Sequence, residues 1–116
     1  MKQLNLTLLI SLMMVNFLPA QKLETPAPSP LGTVSQFVGL TEVSLSYSRP
    51  GIKGREIFGG LVPYGELWRT GANKSTTIKF SDDVKIEGNN VLAGEYAIFT
   101  TPQEKIWTII LSKNPP

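Results

Sequence analysis

The chain of 116 residues contains no histidine and no cysteine. Without them there is no Ser-His-Asp or Cys-His triad, no thioredoxin-type redox pair, no disulfide framework and no His- or Cys-ligated zinc. No cysteine is present to carry a lipid. Charged residues are sparse at 17%, and a formal net charge of +2 is too small to imply a nucleic-acid partner. Past the N-terminal segment, no stretch sustains a 3.6-residue apolar period, and no internal repeat or coiled coil is visible. What is left to build a site is carboxylates, arginine, lysine, hydroxyls, amides, aromatic rings and backbone. The 41% hydrophobic content suits one globular domain.

Residues 1–20 read as a secretory signal peptide. Lys2 supplies a positive start, residues 4–18 are mostly apolar, and Pro19-Ala20 gives a helix breaker and a small residue. The run is too short and too polar for a membrane span of roughly 20 apolar residues. The expected mature protein therefore has no membrane span and is exported, periplasmic or extracellular. An uncleaved anchor is the alternative, because Leu18 stands where a small residue is preferred. Residues 21–32 read as a Pro-rich linker, with Pro26, Pro28 and Pro30 favouring an extended conformation.

From Thr33 the apolar period becomes two. Residues 33–38 form a strand candidate, and residues 41–48 alternate with Val43, Leu45 and Tyr47 on one side. Ile78 and Phe80, then Val84 and Ile86, repeat the pattern. Turns are expected at Ser81-Asp82-Asp83 and at Gly88-Asn89-Asn90. Strands follow over residues 95–101 and 106–112. The pattern predicts an antiparallel, β-sandwich-like, all-β domain over residues 33–116. In the last strand, Ile106 and Ile110 point one way while Trp107, Ile109 and Leu111 point the other. Both faces are apolar, which predicts covering structure from a partner chain or from sequence beyond Pro116.

Residues 49–73 break the alternation. They hold all three arginines of the protein, Arg49, Arg55 and Arg69, with Phe58, Tyr64 and Trp68 and six of the ten glycines. So long a loop in a compact domain is more often functional than a spacer. Guanidinium groups suit two-pronged binding of carboxylate, sulfate or phosphate, and aromatic rings stack on sugar faces. The loop thus predicts a groove for an anionic small molecule or glycan. Arg49, Arg55 and Arg69 would contact the anion, Tyr64 and Trp68 would stack, and Asn73 would donate hydrogen bonds. The plainer alternative is a brace, with the arginines paired to Glu42, Glu56 or Glu66 and Trp68 and Phe58 filling the core edge.

Other motifs are weaker. Gly51-Ile52-Lys53-Gly54-Arg55 lacks the spacing and ending of a P-loop, and no cofactor motif is present. Gly59-Gly60 reads as a loop hinge. Glu56, Glu66 and Glu95 follow no spacing rule for paired-carboxylate catalysis. Asp82, Asp83, Asn89 and Asn90 are explained as well by turn chemistry as by calcium. Asn73-Lys74-Ser75 matches an N-glycosylation triplet that is common by chance. Lys53, Lys74, Lys79, Lys85, Lys105 and Lys113 are dispersed and read as solvated surface.

Three stretches carry a family resemblance: Ser48-Arg49-Pro50 with Gly54, Arg55 and Gly60; Leu67-Trp68-Arg69-Thr70-Gly71-Ala72-Asn73; and residues 92–102 with the strand at Trp107. From about Ser29 to its end the chain resembles the family called domain of unknown function 2911. The resemblance implies an exported, mostly bacterial, β-rich protein with no assigned activity and no catalytic residues to carry over. Members continue past the Trp107 strand, so it also implies a C-terminally truncated domain here.

Two readings of function follow. One is an exported module binding an anionic or saccharide ligand. The other is a structural or interaction protein of the cell envelope, in which edge strands mediate assembly and self-association. An enzyme would have to work through Glu56, Glu66 or Glu95.

Overall fold

The computed structural model describes residues 22–114. The expected signal peptide, residues 1–20, lies outside them. The described residues hold seven strands: β1 (Leu31–Val38), β2 (Thr41–Ser48), β3 (Thr77–Phe80), β4 (Val84–Ile86), β5 (Asn89–Val91), β6 (Gly94–Thr101) and β7 (Thr108–Ser112). Five make one sheet in the order β1-β2-β3-β6-β7, and β4 and β5 make a separate two-stranded sheet. All pairings are antiparallel. The all-β antiparallel class expected from the alternation is the class found. No helix among the described residues is long and apolar enough to cross a membrane.

The register explains the pattern of side chains. Val34, Leu45, Ile78 and Tyr96 stand opposite one another across four strands, and Ile98 opposes Leu111. These residues share one face, because opposed residues in a pleated ladder point the same way. The other face carries Ser44, Ser46, Thr77, Lys79 and Glu95 at its centre, and turns apolar toward the edges, at Ala97, Phe99 and Ile110 on one side and at Leu31 and Phe37 of β1 on the other. The core is Val62, Phe80, Tyr96, Ala97 and Phe99. The Phe80 and Tyr96 rings lie 6.3 Å apart. Tyr96 Oη donates to the Leu92 carbonyl at 2.7 Å, so its buried hydroxyl is satisfied.

Two expectations shift. β1 begins at Leu31, two residues before the alternation becomes regular. The turn expected at Gly88-Asn89-Asn90 falls one residue earlier, at Glu87-Gly88, with φ of 49° and 79°. Two successive left-handed residues suit a tight hairpin, and Asn89 instead starts β5 and donates to the carbonyls of Ile86 and Glu87. Among the described residues β7 has β6 as its one neighbour, and it leaves apolar side chains exposed on both faces, with Ile109 at 68% and Ile110 at 39%.

Candidate functional site

The loop between β2 and β3 is a chain of short, closed turns. It starts as an extension of the β1–β2 ladder, where the Arg49 N–H donates to the Pro30 carbonyl at 2.9 Å. Lys53 and Gly54, with φ of 52° and 69°, then make a tight turn closed by the Arg55 N–H on the Ile52 carbonyl at 3.1 Å. The Arg55 guanidinium locks the same turn, donating to the carbonyls of Ile52 (3.0 Å) and Gly51 (2.9 Å). A second turn closes where the Val62 N–H donates to the Ile57 carbonyl at 2.8 Å. It requires glycine at position 60, where an added Cβ would sit 2.6 Å from the Glu56 carbonyl oxygen. This pair of glycines is a packed corner, with the Tyr64 ring lying on Gly59.

The loop then joins the sheet. Trp68 pairs with Thr100, exchanging hydrogen bonds of 2.7 and 2.9 Å, and occupies the place beside β6 that β3 leaves empty. Thr70 follows with φ of 58°. A β-branched residue is sterically disfavoured there, at a cost of about 1–3 kcal/mol. It is held by its hydroxyl, 3.1 Å from that of Thr100, and by its carbonyl, which accepts from the buried Thr76 hydroxyl at 2.6 Å. The loop thus turns sharply between Arg69 and Asn73. Of the four non-glycine residues with positive φ among the described residues, three (Lys53, Thr70 and Asn73) lie in this loop.

These turns surround an open cleft of about 1050 Å³. Lys53, Arg55, Arg69 and Lys74 line it, and no Asp or Glu does. Its walls are Ile57, Phe58, Leu67, Trp68 and Phe99. Phe58, Trp68 and Trp107 pack edge-on to one another, with centroids 4.8 to 6.5 Å apart and interplanar angles of 70 to 74°. That arrangement holds the Trp68 ring in place. The cleft can therefore offer positive charge, from exposed Lys53, Arg69 and Lys74, beside an apolar wall whose rings are packed edge-on.

The six residues singled out from the sequence do not all meet. Arg55, Trp68, Arg69 and Asn73 line the cleft. Arg49 lies instead against Gly32, beside the Tyr47 ring. Tyr64 lines a smaller depression with Gly65, Gln103, Glu104, Lys105 and Ile106. Asn73 donates to the Ser29 carbonyl at 3.4 Å, tying the loop to the segment before β1. Two cations that sequence reading assigned to the general surface, Lys53 and Lys74, belong to the cleft. Their position in and beside the arginine-bearing loop was the available signal. Glu56, Glu66 and Glu95 are exposed and outside the cleft. Asp82 accepts from the Ser81 hydroxyl and Asp83 from the Ala93 N–H, both at 2.7 Å.

No curated protein and no solved structure matches the chain. The family described as "Protein of unknown function (DUF2911)" matches residues 29–115, and the chain belongs to that family.

Proposed function

We propose that this domain is an exported module that binds an anionic ligand, a charged saccharide or a smaller anion, in the cleft of the β2–β3 loop. The observation that carries the reading is the lining: four cations and no carboxylate around an aromatic wall. Arg69, Lys53 and Lys74 attract the anion, Asn73 offers its amide, and Trp68 receives the apolar face of the ligand. Arg55 acts mainly through the turn it locks. Export, to the periplasm or beyond, rests on residues 1–20.

A second reading, a structural protein of the cell envelope without a small-molecule ligand, is favoured by Arg55, whose guanidinium binds loop carbonyls. Titration of tryptophan fluorescence with trigalacturonate and with maltotriose separates the two. The binding reading expects the acidic sugar to bind at least about tenfold more tightly, with affinity falling as salt rises. Arg69→Ala should weaken it by about 10- to 100-fold, the loss of one charge-assisted contact. If neither trigalacturonate, a sulfated disaccharide nor inorganic phosphate gives a saturable signal, the structural reading stands.

A further inference from the structure

β1 is an unusual edge strand. Its eight residues, Leu-Gly-Thr-Val-Ser-Gln-Phe-Val, include no charge and no proline. Seven of the eight are exposed, and the ladder to β2 runs without a bulge. Natural edge strands are commonly blunted by lysine, proline, a bulge or shortness, since free N–H and carbonyl groups template pairing with another chain. β7, at the other edge, has five residues and runs into Lys113. β1 has none of these protections.

The direction of its free groups follows from one bond. The Arg49 N–H donates to the Pro30 carbonyl, so Pro30–Arg49 is a hydrogen-bonded pair continuing the β1–β2 register. Bonded and non-bonded pairs alternate along an antiparallel ladder. Gly32, Val34, Gln36 and Val38 therefore bond to β2, and Leu31, Thr33, Ser35 and Phe37 turn their backbone groups outward.

The side chains are symmetric about Val34. On the polar face of the sheet, β1 contributes Leu31 and Phe37, each 66% exposed, on either side of Thr33 and Ser35. A two-fold axis at Val34 sets Leu31 opposite Phe37 of a second copy and Thr33 opposite Ser35. Val34, 53% exposed, then meets itself on the apolar face. In this register all four outward residues form bonded pairs. Centring on Ser35 or Thr33 instead leaves Leu31 or Phe37 without an apolar partner. A one-residue slip would join the polar face of one copy to the apolar face of the other. Because β1 carries no charge, the two-fold brings no like charges together.

We infer that the occupant of this edge is a second copy of the same chain, paired antiparallel through β1 about Val34 into one continuous ten-stranded sheet. The apolar row Val34, Leu45, Ile78 and Tyr96 then runs across the junction into its symmetry mate. This assembly is independent of whatever the cleft binds.

The native chain has no cysteine, so single cysteines report the register directly. Val34→Cys places two thiols at a non-bonded pair, with Cα atoms about 4.5 Å apart, within disulfide range. Thr33→Cys and Ser35→Cys leave each thiol offset from its copy. The inference expects the unmodified protein to sediment as a dimer at about 100 μM, as an edge-only contact of micromolar strength would allow. Under mild oxidation, Val34→Cys should cross-link at least tenfold faster than the other two. Val34→Lys should sediment as a monomer with an unchanged circular dichroism spectrum. A monomeric unmodified protein at that concentration, or equal cross-linking at all three positions, would overturn the inference.

Discussion

β1 and β6 are both eight residues long and both rich in apolar and hydroxyl side chains, yet they have opposite fates. β6 has β3 and then Trp68 on one side and β7 on the other, and it buries Tyr96, Ala97, Phe99 and Thr100. Among the described residues β1 has β2 alone and leaves Leu31, Val34, Phe37 and Val38 in water. Burial in a sheet follows the number of neighbours more than the composition of the strand. The same row of apolar side chains is core at the centre and contact surface at the edge.

Aromatic truncation breaks the comparison most sharply. Phe80, 5% exposed, is opposite Gly94 of β6, and Phe80→Ala should cost about 3–5 kcal/mol in urea unfolding. A loss under about 1 kcal/mol would mean that the centre of the sheet is not the core. Next comes the corner that positions the cleft wall. Gly60→Ala drives a Cβ against the Glu56 carbonyl and should cost about 1–3 kcal/mol. It should also change the near-ultraviolet signal of the Phe58–Trp68–Trp107 cluster, and an unaltered spectrum would show that the corner does not support the rings. The smallest effect belongs to the edge. Phe37→Ala should change the stability of the dilute protein by no more than about 0.5 kcal/mol. In the β1 pairing it removes the partner of Leu31, so it should raise the dimer dissociation constant while leaving the fold alone.

Much of the sheet was legible. Val43, Leu45 and Tyr47 alternate with serine and glutamate, and β2 lies where they do, because a strand with one wet face imposes that period. The Glu87-Gly88 turn was misplaced by one residue because Asn-Asn carries turn propensity too, and only the pairing of Ile86 with Asn89 decides between them. The cleft was half legible. Arg55, Trp68, Arg69 and Asn73 come together, but Arg49 sits too close to the end of β2 to leave it. Tyr64 is drawn onto Gly59, where the absence of a side chain makes room.

Composition and periodicity by themselves determined that this chain is antiparallel and all-β, and that a site built on histidine or cysteine is impossible. They also marked the loop after β2 as distinct, since glycine, proline and arginine interrupt a two-residue period there. Tertiary structure alone decided which strands lie at the edges, which cations share one cleft, and which apolar residues stay exposed. Those outcomes depend on contacts between residues far apart in the chain, as between Trp68 and Thr100, and local patterning carries no record of such partners.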